Sequence, residues 1–178
     1  MAEISLILKA AAFAAHKHRD QRRKDVKGTP YINHPIEVAR VLCEEGGVQD
    51  PKILAAALLH DTIEDTETEY DELRGQFGAH IADVVAEVTD IKFLGKRSRK
   101  QLQLAKAGHS SAAAQQIEIA DKLCNLRDIL AHPPAKWSEE RKQEYFDWAK
   151  RVVDQVRGAN PGLARKFNRV YGMRGGQE

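Results

Sequence analysis

Asp50-Pro51-Lys52-Ile53-Leu54-Ala55-Ala56-Ala57-Leu58-Leu59-His60-Asp61-Thr62-Ile63-Glu64-Asp65 is the stretch that decides the fold. It opens with a helix start signal, an N-cap aspartate followed by a proline at the first helical position. The near-continuous apolar surface that follows marks a central helix, because a helix apolar all round is a buried one. The run then stops abruptly in four groups able to bind metal or carry protons. If the segment stays helical to its end, His60 and Glu64 stand at i,i+4, as do Asp61 and Asp65, so two adjacent ridges point polar groups the same way. Carboxylates this crowded repel one another, and burying them unpaired costs several kcal/mol. Such a helix end therefore calls for full solvation or a bound cation.

Outward from this stretch every element reads as helical. Toward the N-terminus, Leu6, Ile7, Ala10, Ala11, Ala14 and Ala15 predict an amphipathic helix from about Ile4 to Arg19, with a small apolar face suited to close packing. Arg22 to Asn33 is a basic loop broken by Gly28 and Pro30. Asn33 then predicts an N-cap with Pro35 in the opening turn, for a helix ending at Gly46-Gly47 that puts His34 at its entrance. Beyond Asp65, a turn at Thr66 to Thr68 precedes a short helix through Tyr70, Leu73 and Phe77. Another follows through Ile81, Val84, Val85 and Val88.

The pattern lapses from Thr89 to Gly95, and the basic cluster Lys96-Arg97-Ser98-Arg99-Lys100 precedes a short amphipathic stretch around Leu102 and Leu104. Ser110-Ser111 caps a helix in which Asp121 and Asn125 share a ridge at i,i+4. His132-Pro133-Pro134 breaks it. Ser138 starts a long helix through Tyr145, Phe146, Trp148 and Val156, and Asn160-Pro161 starts a final one. No alternating strand pattern, repeat or low-complexity tract stands out. The expectation is an all-α fold of one domain over residues 1–178, with about eight to ten helices around a metal site. Its core motifs span residues 10–130, its C-terminal helices 138–172 and a loose tail 173–178.

Composition narrows the function classes. At 178 residues the chain can bury a real core without a staple. The two cysteines, Cys43 and Cys124, lack a metal-binding spacing, and no secretory apolar region opens the sequence, which points to packed thiols in a cytoplasmic setting. No apolar run approaches the ~18 residues of a membrane span. Net charge is only +2, from 28 basic and 26 acidic residues, so no global field draws the chain onto nucleic acid and any anion recognition is local. Too few aromatics interleave with the basic loops to form base-stacking platforms.

Two histidines and two aspartates, His34, His60, Asp61 and Asp121, lie in three separate helical segments as a plausible ligand set. Mixed imidazole and carboxylate ligation suits Mn or Fe better than a structural zinc site, which prefers thiolates. The spacing alone also admits histidines satisfied in the core and aspartates capping helices.

The motifs that carry these residues resemble a known family. Tyr31-Ile32-Asn33-His34-Pro35, Leu58 to Asp65, and Ile119-Ala120-Asp121-Lys122-Leu123-Cys124-Asn125-Leu126-Arg127 are similar in order and spacing to the His…His-Asp…Asp signature of the HD superfamily. More narrowly they resemble the hydrolase half of the bifunctional alarmone enzymes, and the single-domain small alarmone hydrolases, the Mesh1-like proteins. The resemblance implies an all-helical HD domain with one Mn²⁺ held by His34, His60, Asp61 and Asp121. It also implies that Glu64 and Asp65 handle water and its proton.

Arg23 and Lys24 are implied to meet guanine or phosphate groups of the substrate, and Asn125 its ribose. Lys96, Arg97 and Arg141 could gather the distant phosphates, with Tyr145 alongside; solvated surface and core roles remain open for these. The implied activity is removal of the 3′-pyrophosphate of guanosine tetra- or pentaphosphate, with no synthetase or regulatory domain attached. Two alternatives stand beside it, a NADPH 2′-phosphatase using the same site and a nucleotide-binding sensor without turnover. His16, His18, His80, His109 and His132 fall in no matched motif and read as structural or exposed.

Overall fold

The computed structural model describes residues 2–91 and 94–175, with the Lys96 side chain outside the described set. In chain order the α-helices are α1 (Ala2–Lys17), α2 (Asn33–Arg40), α3 (Pro51–Leu59), α4 (Thr62–Asp65), α5 (Tyr70–Phe77) and α6 (Ala79–Val88). They continue with α7 (Lys96–Ala107), α8 (Ala112–Ala131), α9 (Glu139–Val156) and α10 (Pro161–Gly172). A π-helical turn, Val41–Glu45, extends α2, and a 3₁₀ turn, Met173–Gly175, follows α10. Among the described residues no strand forms, and Arg22 with Pro30 makes an isolated β-bridge. The fold is all-α, and no helix of the described residues is long and apolar enough to cross a membrane. Of the expected tail, 176–178 lie outside the described residues.

The central role of α3 follows from its composition. Leu54 through Leu59 are all buried, so the helix is enclosed on every side. It packs against α1, α2, α6 and α8. Alanine makes this possible: Ala55, Ala56 and Ala57 on α3 and Ala10 and Ala14 on α1 are buried and add little bulk between the helix axes. The caps predicted at Asp50, Ser111, Ser138 and Asn160 all form. Their side chains accept from the backbone N–H groups of Lys52, Ala114, Arg141 and Leu163 respectively.

Far from the α3 terminus, Glu45 ties three elements together. Its carboxylate accepts from Arg127 Nη1 at 2.7 Å and Nη2 at 3.0 Å, and from Lys166 Nζ at 3.0 Å, and these bonds pull its pKa down to about 2. The next residue must be glycine. A Cβ on Gly46 would lie 2.7 Å from the Leu42 carbonyl oxygen and 2.9 Å from Leu163 Cδ1.

Four local expectations change. Helix α1 begins at Ala2 and stops at Lys17, because the buried His18 leads the chain into a turn toward the Arg22–Pro30 bridge. Asn33 is not a side-chain cap: the residue ahead of α2 is Ile32, already in helical geometry. The N–H groups of Asn33 and His34 donate instead to the Pro30 and Tyr31 carbonyls, so the tight entry turn has satisfied donors a cap would serve. The basic cluster at 96–100 is not a loop but the opening turns of α7.

The fourth change falls on the deciding stretch, which is two helices, α3 and α4, separated at His60-Asp61. Side chains close off α3. His60 Nδ1 meets the Ala57 carbonyl oxygen at 2.7 Å, and Thr62 Oγ1 donates to the Leu59 carbonyl at 2.7 Å.

Candidate active site

The break at the end of α3 brings the candidate ligands together. A carbonyl can only accept, so His60 Nδ1 carries a ring proton, and Nε2 is the nitrogen turned toward the carboxylates. That Nε2 is buried and finds no hydrogen-bond partner among the described residues. It lies 3.0 Å from Asp61 Oδ2 and 3.9 Å from Asp121 Oδ1. His34, at the start of α2, brings its Nε2 to 3.0 Å from Asp121 Oδ1 and 3.9 Å from Asp61 Oδ2. One ligand atom each from His34, His60 and Asp121 falls within a 4.8 Å span, the spacing of a group able to hold a metal ion. An unpartnered imidazole nitrogen aimed among carboxylate oxygens fits a divalent cation, and the nitrogen and oxygen donors suit a six-coordinate ion.

Each carboxylate is held from behind. Tyr31 Oη donates to Asp61 Oδ2 at 2.6 Å. Asn125 Nδ2 donates to Asp121 Oδ1 at 2.6 Å, and Lys122 Nζ to Asp121 Oδ2 at 2.8 Å. Burial would raise the pKa of Asp121, but the Lys122 ammonium and the bond to His34 hold it well below the usual carboxylate range. Asp61 is likewise kept low against its own burial by His60 and His34.

Glu64, one turn along in α4, sits in a contrasting setting. Its Oε2 accepts from the Asp90 backbone N–H at 3.1 Å, and Arg99 Nη1 stands 3.8 Å from its other oxygen. Burial pushes its pKa up to about 7, with help from the Asp90, Asp61 and Asp65 charges and against the Asp90 N–H. Asp65 is exposed, its backbone N–H donates to the Asp61 carbonyl at 2.8 Å, and its Oδ2 accepts from Gln21 Nε2 at 3.1 Å.

These groups line one cavity of about 820 Å³, within the size range of nucleotide-sized ligand sites. Arg23, Lys24, Asn125, Arg141 and Tyr145 line it too. Arg23 Nη2 donates to Asn125 Oδ1 at 3.1 Å and to Asp128 Oδ2 at 2.5 Å, which fixes the guanidinium on the wall beside the ligands. Arg141 lies over the Trp137 ring, 4.5 Å from its centroid. Half-buried Tyr145 continues that wall, with ring centroids 5.6 Å from Trp137 and 5.3 Å from Trp148.

Arg97 is the exception among the described candidates, being exposed and away from the lining. Because the basic cluster is helical, Arg99, Lys100 and Gln103 face the cavity in its place. Sequence reasoning also missed Lys122, Glu118, Tyr31, Gln21 and Asp90. A buried lysine beside a candidate ligand aspartate looks like an ordinary helix residue until tertiary structure shows Nζ 3.0 Å from Glu118 Oε1 and 4.7 Å from the Trp148 ring centroid. Tyr31 belongs to the Tyr31–Pro35 motif, where its neighbour His34 is the signal that singles it out.

Comparison with known proteins shows the family of the chain. The family model "HD domain" matches residues 10–150. A mouse relative, guanosine-3′,5′-bis(diphosphate) 3′-pyrophosphohydrolase MESH1, is 53% identical over 173 residues, 97% of each chain. The Drosophila melanogaster protein of the same name is 47% identical, covering 92% of this chain and 91% of its own. A solved structure described as a metazoan ortholog of SpoT that hydrolyzes ppGpp and plays a role in starvation responses superposes with a TM-score of 0.93. It is 45% identical over 96% of both chains. The chain belongs to the HD-domain family and, within it, to the group of the MESH1 proteins.

Proposed function

We propose that this protein is a manganese-dependent hydrolase that removes the 3′-pyrophosphate of guanosine tetra- and pentaphosphate, giving GDP or GTP and pyrophosphate. The observation that carries the proposal is the convergence of His34, His60, Asp61 and Asp121 in a cavity whose wall also carries Arg23, Lys24, Arg99, Lys100 and Arg141 and the rings of Trp137, Tyr145 and Trp148, among further carboxylates. The activity for which the MESH1 relatives are named supports it.

His34, His60, Asp61 and Asp121 would hold the ion. Bound there, a divalent cation supplies Lewis-acid polarisation of a phosphoryl oxygen and lowers the pKa of water beside it. The chain's own residues supply the rest. Glu64, with a pKa near neutrality, can take the proton of an attacking water and return it to the leaving ribose oxygen, work typically worth about 10² to 10⁴ in rate. Asp65 orients that water from the rim. Arg23 and Lys24 would meet the guanine or phosphates, and Asn125, which donates to Asp121, would meet the ribose. Arg141, Arg99 and Lys100 gather the distant phosphates along the Trp137–Tyr145–Trp148 wall, and Lys96 opens the same helix.

The test runs in parallel on purified, Mn²⁺-loaded protein. Pyrophosphate release from guanosine tetraphosphate is the expected result, and orthophosphate release from NADPH alone would favour the 2′-phosphatase instead. Asp61→Ala should lose metal and turnover together, whereas Glu64→Ala should keep the metal and lose turnover. A metal-replete Glu64→Ala protein working at the wild-type rate would show the proton-transfer assignment to be wrong.

A further inference from the structure

Two side chains next to these groups, His18 and Gln21, have no role in the chemistry above. His18 is 1% exposed and sits in the turn after α1. Its Nδ1 is 2.6 Å from Gln21 Oε1, and Gln21 Nε2 is 3.1 Å from Asp65 Oδ2. The direction of each bond is fixed by chemistry. A carboxylate can only accept, so the Gln21 amide nitrogen faces Asp65; its carbonyl oxygen then faces His18, whose Nδ1 must donate. The same His18 ring packs on Tyr31, with centroids 4.9 Å apart, and Tyr31 Oη donates to Asp61 Oδ2 at 2.6 Å. One buried imidazole therefore braces two arms, one ending on the exposed carboxylate at the rim and the other on a candidate ligand.

We infer that Gln21 is a positioning residue that holds the Asp65 carboxylate in its working orientation, and that His18 fixes Gln21 for that task. The inference rests on Asp65 having the water-orienting role proposed above. Asp65 needs such help. It is exposed at the end of a helix of one turn, where a free side chain samples several rotamers. Freezing it from a partner that is itself frozen moves the ordering cost into folding, ahead of substrate binding.

The experiment is a double-mutant cycle with a second readout that needs no substrate. Gln21→Leu keeps the side chain's approximate bulk and removes the amide. In Mn²⁺-loaded protein it should lower kcat about tenfold, the loss of one hydrogen bond to a charged group, with KM and metal affinity unchanged. In an Asp65→Ala background the same substitution should have no further effect on kcat, because the partner is already gone. His18→Asn, whose amide can donate where Nδ1–H stood, should retain more kcat than His18→Leu. Equal losses from Gln21→Leu in both backgrounds, or a wild-type kcat, would overturn the inference.

The second readout is the side-chain amide resonance of Gln21 in ¹⁵N-labelled protein. It should move toward its free-glutamine position in Asp65→Ala and again in His18→Leu. An unmoved signal in Asp65→Ala refutes the contact whatever the protein's activity. Conversely, a moved signal in a protein that releases no pyrophosphate would leave the positioning standing and remove the proposed function.

Discussion

Glu64→Gln should make the metal-free protein more stable while abolishing its turnover. Glutamine keeps the acceptor oxygen that meets the Asp90 N–H at 3.1 Å and removes only the capacity for charge. In the folded protein burial raises the Glu64 pKa from 4.5 to about 7. A raised carboxyl pKa means that the folded state binds the proton more tightly than the unfolded chain. The resulting stabilisation is fully present below pH 4.5 and is lost as pH climbs through about 7. At 1.36 kcal/mol per tenfold change in affinity, that interval corresponds to about 3 kcal/mol at pH 8 and less than about 1 kcal/mol at pH 5. The side chain is 23% exposed, so solvent screening reduces the pH 8 figure to about 2 kcal/mol.

Urea unfolding of chelator-treated wild type and variant at both pH values measures the difference. With a slope of about 2 kcal/mol per molar, the midpoint at pH 8 should rise by about 1 M, with little change at pH 5. Adding Mn²⁺ should shrink the gain, because a cation beside Glu64 favours the charged form that the variant lacks. A variant no more stable than wild type at pH 8, or stabilised equally at both pH values, would refute the assignment of Glu64 to a desolvated site.

Lys122→Met removes the ammonium that lies 2.8 Å from Asp121 Oδ2 and 3.0 Å from Glu118 Oε1, leaving two buried carboxylates facing each other. Denaturant unfolding should show a loss of about 3 kcal/mol, the cost of breaking a buried ion pair from one side. Arg141→Ala strips the cation from the Trp137 face of the cavity wall, and steady-state kinetics should show KM raised about fivefold to tenfold with kcat little changed.

What the sequence made legible was what depends on neighbours along the chain. Asp50-Pro51, Ser111, Ser138 and Asn160 announced helix starts because an N-cap uses only the next three residues, and all four form. The candidate ligands were legible for another reason: a metal site needs particular side-chain types, and few others can replace them. Hidden from view was whatever depends on how elements meet. The periodicity of the Lys96–Lys100 cluster was masked by its charge, so nothing favoured Arg99 over the expected Arg97 before α7 was known to begin at Lys96. Nor does anything local set Lys122 apart from the other lysines, since its partners on α8 matter only once α9 lays Trp148 over it. The break between α3 and α4 was hidden for a subtler reason. Its cause is a histidine and a threonine bonding back to carbonyls of the preceding turn, and both residues also occur in uninterrupted helices.

That break explains how crowded carboxylates can share so few residues. A single continuous helix would have stacked His60 under Glu64 on one ridge, placing the candidate proton carrier directly against the ligands. With α3 ended at Leu59 and α4 starting at Thr62, Asp61 stays beside His34 and His60 and Glu64 reaches the segment at Asp90. Histidines on two sides keep Asp61 ionised against the cost of burial, and burial with only one backbone donor keeps Glu64 near neutrality. The proposed hydrolysis would use this pair, one carboxylate that stays charged to hold a cation and one that gains and loses a proton at working pH. Two carboxyl groups three positions apart are driven in opposite directions by where the helix stops.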